Sequence, residues 1–232
     1  MTTPVIELRD VTVVRGSRTI VDSVSLVVEE RRLGVIGANG SGKSTLARII
    51  GGLISPTAGE VRVLGLDPVR DGRAARARIG FCFADPDAQI VMPTVREDIA
   101  FSLRRSPLSR EERADRVDEA LVRFGLTALA DAPAHLLSSG EKQLLALAST
   151  LVREPDLVLC DEPTTLLDLR NAGEMAATIE SLSEHLVIVS HDLDLVMGCE
   201  RVIRLDDGAL TDDGEPGPVI DRYRRDMARA RS

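Results

Sequence analysis

Aromatic rings are scarce in this 232-residue chain, which has four Phe, one Tyr and no Trp. Few surfaces are therefore available on which bases or sugars could stack. The formal net charge of −8 argues against a nucleic-acid backbone as partner, because such binding rests on clustered Lys and Arg. A small nucleotide is not excluded, since local groups hold it rather than net charge. Cysteine is equally sparse. Cys82, Cys160 and Cys199 are far apart, with no CxxC pair and no Cys/His cluster. Neither a zinc site nor a disulfide framework is indicated, and reduced thiols in core strands are expected. No apolar run approaches the roughly 18–20 residues needed to cross a bilayer. The opening MTTPVIELRD has no basic, apolar signal segment. Any membrane role is expected to be peripheral.

What is present is an ordinary globular composition, 44% hydrophobic and 28% charged, long enough for one large domain with an inserted subdomain. Residues 5–36 carry period-two apolar stretches (VIEL, VTVV, VSLVV) that predict strands. The run 33–36 reads as a buried strand, followed by a helix over 44–52. A turn is expected over 55–59, with strands over 60–64 and 79–83. From 85 to 154 the periodicity turns helical, over 95–103, 111–124 and 143–152, which marks a helical insert. Strand and helix alternation then resumes: strands over 157–160, 186–190 and 202–205, helices over 171–184 and 193–198. Alternation of this kind predicts a mainly parallel sheet. The Arg-rich stretch 216–232 is helix-capable and is expected to form a solvated basic tail.

The motif Gly37-Ala38-Asn39-Gly40-Ser41-Gly42-Lys43-Ser44, followed by Thr45, matches GxxxxGK[ST] between a predicted strand and a predicted helix. Phosphate binding needs this layout. Glycines let successive backbone N–H groups converge on one anion, and the helix start adds the positive end of its dipole. Lys43 is expected to reach the terminal phosphates, and the Ser44 hydroxyl to ligate Mg²⁺. The strand 157–160 runs into Asp161 and Glu162. In an open parallel sheet, ligands sit at the carboxyl ends of strands. Asp161 is thus a second candidate for the Mg²⁺ site, and Glu162 a candidate to polarise an attacking water. The strand 186–190 ends at His191, a candidate to contact the terminal phosphate or orient that water. His135 and His185 lack such context and are expected at the surface.

The run Leu137-Ser138-Ser139-Gly140-Glu141-Lys142-Gln143 resembles the LSGGQ signature of ATP-binding-cassette (ABC) ATPases. Taken with the Gly-rich loop, the acidic strand, Asp168 in the D-loop position and His191 in the switch position, the resemblance covers about residues 5–210. It implies an α/β fold: a P-loop NTPase (RecA-like) parallel sheet core, an N-terminal antiparallel β subdomain and an inserted α-helical subdomain. The core would be 1–84 and 154–215, the helical subdomain 85–153 and the tail 216–232. Read on its own chemistry, Ser138 with Glu141 three residues on is a capping box starting an apolar helix. A helix start bearing a Ser and a Gly also suits an anion. The resemblance implies that Ser138, Ser139, Gly140 and Glu141 face ATP held by a second subunit, a homodimer partner or a paralogue, packed head-to-tail.

A finer likeness lies in FCFADPDAQ (81–89) and PTVREDIAF (93–101), which resemble the ATPases of energy-coupling-factor importers. DEPTTLLDLRN (161–171) resembles the ATPases of biotin importers. The resemblance implies a transmembrane coupling protein and a substrate-binding membrane protein as partners, docking near residues 89–92, with the chain peripheral on the cytoplasmic face. Biotin is the first solute implied, with cobalt, nickel or another vitamin as alternatives. An ABC ATPase working off the membrane is the rival reading, but such proteins usually carry coiled coils, zinc inserts or two cassettes, which this sequence lacks. A cassette that senses ATP with weak hydrolysis is a second rival, motivated by one departure: Ala84 occupies the Q-loop glutamine position. The adenine-stacking aromatic is also missing. Its place falls at or near Arg15, whose guanidinium can stack on a π face or simply sit in a solvated loop. Ser139 replaces the first signature glycine and Glu141 the glutamine. In the family the glutamine at the Ala84 position contacts Mg²⁺ or the water and couples to the membrane subunit. Ala84 is therefore expected to weaken catalysis or loosen coupling, and Ala84→Gln to raise the ATPase rate or coupled uptake. Steady-state hydrolysis and solute uptake that are both unchanged by the substitution would remove the idea.

Overall fold

The computed structural model of the chain describes residues 4–229. In chain order the elements are β1 (Ile6–Arg15), β2 (Arg18–Val28), β3 (Arg32–Ile36), α1 (Lys43–Ile50), β4 (Ala58–Val63), α2 (Gly72–Arg78) and β5 (Ile79–Cys82). They continue with α3 (Val95–Ser102), α4 (Arg110–Arg123), α5 (Ser139–Leu151), β6 (Leu157–Asp161) and α6 (Leu169–Glu180). The chain closes with β7 (His185–Val189), α7 (Leu193–Met197), β8 (Arg201–Asp206), β9 (Ala209–Gly214) and α8 (Pro216–Arg229). Two compact units result. The first joins Met1–Ile79, Leu157–Glu162 and Glu184–Ser232, and the second Gly80–Asp156 and Pro163–Ser183. The expected helical insert 85–153 lies within the second unit, which also takes in the segment carrying α6.

In the first unit, β1 pairs antiparallel with β2 and with β4, in the order β2-β1-β4. The β1–β2 hairpin turns at Gly16, whose φ of 60° favours glycine. Register shifts between Leu8 and Val11 and between Val11 and Val13 keep Leu8, Val11 and Val13 all buried despite their unequal spacing. The larger sheet is built around β3, which pairs parallel with β7 and β8, while β6 pairs parallel with β7. Being covered on both faces, these strands read as continuous apolar runs, and β6 is buried along its whole length.

The first unit departs from sequence expectation at several places. Ala58 and Gly59, expected in a turn, already belong to β4. Strand β9, which pairs antiparallel with β8, has no apolar alternation because it is an edge strand facing water. The segment after 215 is no solvated tail up to Arg229: it forms α8, with Val219 and Ile220 fully buried. Its charges are spent on the sheet, Arg222 on Asp212 of β9 and Asp226 on Arg204 of β8, each at 2.6 Å. An apolar stripe at 219, 220 and 223 sits among the arginines, and the stripe decided the outcome. Residues 230–232 lie outside the described residues. His185 is half-buried rather than on the surface, with its Nδ1 enclosed. All three cysteines are buried, Cys82 and Cys160 in strands and Cys199 just after α7.

The second unit is helical, and three of its helices start with a reciprocal capping box: Thr94 with Glu97, Ser109 with Glu112, and Ser138 with Glu141. Its main internal tie is Asp98 on α3, which is 3% exposed. One carboxylate oxygen accepts from the backbone N–H groups of Val91 (2.8 Å) and Met92 (3.0 Å), and the other from the Ser149 hydroxyl of α5 (2.9 Å). Asp98→Ala leaves these donors unpaired in a dry site and is expected to cost about 2–3 kcal/mol of stability. A urea-denaturation midpoint equal to that of the parent would show that the tie is dispensable.

Candidate active site

The loop after β3 is shaped by its glycines. Gly37 has a φ of 148°, and a Cβ there would fall 2.1 Å from the Leu205 carbonyl oxygen and 2.7 Å from Ser41 Oγ. Gly42 has a φ of 101°, and a Cβ there would fall 2.5 Å from the Ile20 carbonyl oxygen. No other residue type fits either position. Ala38, Asn39 and Gly40 form the exposed rim of the loop, while Ser41 and Lys43 are buried and Thr45 is half-buried. The Ser41 hydroxyl is enclosed with no partner among the described residues. An unpaired hydroxyl is costly in a folded protein unless a ligand or water completes it.

Lys43 Nζ donates to the carbonyls of Gly37 (2.8 Å) and Ala38 (3.0 Å), so the ammonium closes the loop across its own first residues. Burial lowers the Lys43 pKa, against the opposing pull of Glu162 and Asp161. Ser44 Oγ donates to Asp161 Oδ1 at 2.7 Å, and Arg48 on α1 stands 3.9 Å from the other oxygen. The hydroxyl and the carboxylate are hard oxygen donors side by side. No group of three or more His, Cys, Asp or Glu able to hold a metal exists among the described residues. A site with only one or two protein oxygens suits Mg²⁺ shared with phosphate oxygens rather than an all-protein cage.

Glu162 follows Asp161 with a φ of 54°, a left-handed backbone that costs a non-glycine residue roughly 1–2 kcal/mol. The bend is held by its N–H donating to the Val189 carbonyl at 2.8 Å. It turns the Glu162 side chain onto the end of β7, where Oε2 accepts from the His191 N–H (3.3 Å) and meets His191 Nδ1 at 2.7 Å. With Nδ1 turned to Glu162, the imidazole presents Nε2 outward. The carboxylate is mostly covered, at 15% exposure, whereas the His191 ring is 56% exposed. The first unit thus brings together the Gly37–Thr45 loop, Asp161, Glu162 and His191. Arg15 stands exposed at the end of β1, beside the hairpin turn. Arg48 was not anticipated. Its facing Asp161 depends on how α1 lies against β6, which no local pattern shows.

The second unit holds the remaining predicted residues. Ser138 caps α5: its Oγ accepts from the Glu141 N–H (3.3 Å), and Glu141 Oε2 accepts from the Ser138 N–H and hydroxyl, both at 2.7 Å. The glutamate in place of the signature glutamine is therefore occupied by capping. Ser139 is exposed and Gly140 buried. Asp168 caps α6, accepting from the N–H of Asn171 at 2.9 Å and from its side-chain amide at 3.0 Å. Ala84 lies in the loop after β5. Gln89 is no substitute for it: its side chain accepts from the Phe83 N–H (3.3 Å) and donates to Ala146 O and Thr150 Oγ1 (each 2.9 Å), strapping the loop to α5.

Burial is the largest influence on Asp161 and raises its pKa, against the Ser44 hydrogen bond and the charge of Arg48. A raised folded-state pKa means that the neutral acid stabilises the fold. That contribution is full below the unfolded carboxylate range and is lost as pH rises through the folded value. The nucleotide-free protein at neutral pH therefore carries a carboxylate it would be more stable without. Asp161→Asn is expected to raise the thermal midpoint by roughly 2–4 °C at about pH 8, with the gain shrinking toward about pH 4. Thermal melts at the two pH values check this, and a lowered midpoint at the higher pH would contradict it.

Comparison with known proteins agrees with this geometry. The family model described as ABC transporter matches residues 21–165, more than half of the chain. The biotin transport ATP-binding protein BioM of Rhizobium etli is 44% identical over 209 residues, covering 90% of this chain and 93% of that protein. The energy-coupling factor transporter ATP-binding protein EcfA1 of Lacticaseibacillus paracasei is 39% identical over 196 residues, covering 81% and 69%. Among solved structures, cbiO1 of Clostridium perfringens, described as part of the ABC transporter complex cbiONQ, superposes with a TM-score of 0.84 at 29% identity over 95% of this chain and 92% of that one. The chain belongs to the ABC transporter family, as one of its ATP-binding, ATP-hydrolysing subunits.

Proposed function

We propose that the chain is the motor subunit of an energy-coupling-factor importer, working as a head-to-tail dimer on the cytoplasmic face of a membrane. The observation that carries the catalytic half of this reading is the Glu162–His191 contact at 2.7 Å, in the same unit as the Ser44–Asp161 contact at 2.7 Å and the Lys43-closed loop. The loop residues Gly37 to Thr45 hold the phosphates of ATP through backbone N–H groups and the Lys43 ammonium, with Ser41 Oγ gaining the partner it lacks. Arg15 is the candidate to stack on adenine. Ser44 and Asp161 hold Mg²⁺, which supplies charge neutralisation on the phosphate oxygens when bound. Glu162 accepts a hydrogen bond from the attacking water and orients it, while His191 fixes the carboxylate by its Nδ1 and presents Nε2 toward the terminal phosphate.

The second unit supplies the trans half. The N-terminus of α5, with Ser138, Ser139, Gly140 and Glu141, suits an anion, yet the chain already has a complete phosphate loop. It serves the ATP of the neighbouring subunit, a second copy or a paralogue, with Asp168 beside it. ATP then holds two subunits together, and hydrolysis releases them. Among the described residues no helix is long and apolar enough to cross a membrane. The motion is therefore passed to a transmembrane coupling protein, docked near 89–92, where Val91 is 60% exposed, and from it to a substrate-binding membrane protein. Likeness to BioM and the 161–171 run support biotin as the solute, ahead of cobalt, nickel or another vitamin.

The test is steady-state hydrolysis as a function of subunit concentration. The rate per subunit is expected to rise with concentration, and Glu162→Gln to lower it by a factor on the order of 10² or more while Mg-ATP binding persists. A rate per subunit independent of concentration would sink the self-sufficient dimer.

A further inference from the structure

Gly140 has no backbone reason to be glycine. It lies within α5 and is not among the residues with positive φ, so alanine would favour the helix there. What excludes a side chain is Asn171 of α6. A Cβ on Gly140 would fall 2.8 Å from Asn171 Oδ1, 2.9 Å from Cγ and 3.2 Å from Cβ, and these are its three nearest neighbours. Gly173, on the same helix as Asn171, has nothing within 4 Å of such a Cβ. Asn171 is not free to swing aside. Its side-chain amide donates to Asp168 Oδ2 at 3.0 Å, while its backbone N–H donates to Oδ1 of the same carboxylate at 2.9 Å. A rotated side chain would lose the Asp168 bond, whereas the Cβ, at 3.2 Å, would need to give by only a few tenths of an ångström.

We infer that Asn171 is a positioning residue that joins the Asp168 loop to the first turn of α5, and that this contact, not the approach of a nucleotide, dictates glycine at 140. The inference rests on the reading of the α5 start and Asp168 as elements presented to the neighbouring subunit's ATP. Under that reading, one amide side chain fixes the spacing of both trans elements. A shift at Asp168 is passed to the backbone at Gly140 without any contact to the nucleotide. The same packing accounts for the departure one residue earlier. Ser139 is exposed, so a hydroxymethyl group is tolerated where the signature has glycine, whereas at the buried 140 it is not.

Four full-length proteins test this: the parent, Gly140→Ala, Asn171→Ala and the double variant. Asn171→Ala is expected to lower kcat roughly threefold with the KM for ATP within about twofold, because the phosphate loop is untouched. Gly140→Ala is expected to lower kcat by about tenfold or more, together with the thermal midpoint of the nucleotide-free protein. Adding Asn171→Ala to Gly140→Ala removes the clashing Oδ1 and Cγ, so the double variant returns to the level of Asn171→Ala alone in both measurements. A double variant as impaired as Gly140→Ala, or worse, in rate and midpoint overturns the inference, since the glycine would then be needed for the nucleotide or for the backbone. If the parent hydrolyses no ATP, the functional reading fails by itself and the midpoints decide the packing. Restoration in the double variant upholds the Asn171 contact, and additive losses reject it.

Discussion

Parallel pairing of β6 with β7 and of β7 with β3 is the constraint on which the site depends. Because the three strands run the same way and in register, their carboxyl ends arrive at one edge: Ile36 before the glycine loop, Asp161 before Glu162, and Val189 before His191. Three segments far apart in sequence thereby bring the Lys43-closed loop, the Ser44–Asp161 hydrogen bond and the Glu162–His191 contact to the same end of the sheet. An antiparallel arrangement of the same strands would send the ends to opposite edges and leave each motif alone.

The site holds several features that a stability-optimised fold would avoid. Lys43 and Asp161 are buried charged groups, and burial lowers the Lys43 pKa and raises that of Asp161. Glu162 takes a left-handed backbone, and the Ser41 hydroxyl is enclosed without a partner among the described residues. Each is a cost to the chain, and under the proposed function each is relieved or used when phosphate oxygens and a cation bind. Their clustering at the strand ends, against an otherwise apolar core, is the physical mark of a binding and reaction site.

The helical unit follows a different economy, in which polar side chains are spent on position. Asp98 fixes the 91–92 backbone to α5, Gln89 fixes the Phe83 backbone to the same helix, and Lys142 pairs with Asp87 at 2.7 Å. The loop that lacks the usual glutamine at 84 is thus tied to the signature helix at several points, and Asn171 ties the Asp168 loop to the start of that helix. The 83–92 segment is held to one helix by hydrogen bonds and an ion pair, and the Asp168 loop by the packing of Asn171 against Gly140.

Much of this was legible in the sequence because it is written locally. The glycine loop between strand and helix, the acidic end of an apolar strand and the Ser138–Glu141 capping box each depend on a few adjacent residues whose chemistry fixes their conformation. Edge strand β9 and the docked helix α8 were not legible in the same way. Their polar residues gain partners only when Asp212 meets Arg222 and Arg204 meets Asp226. The residues that position the site were hidden for the same reason: Arg48 beside Asp161, Gln89 across to Ala146, and Asn171 against Gly140. By itself the sequence determined which groups are available and how each local turn is shaped. Tertiary structure alone decided which of them meet, because a side chain's partner across a sheet or between helices is set by packing and register, not by spacing along the chain.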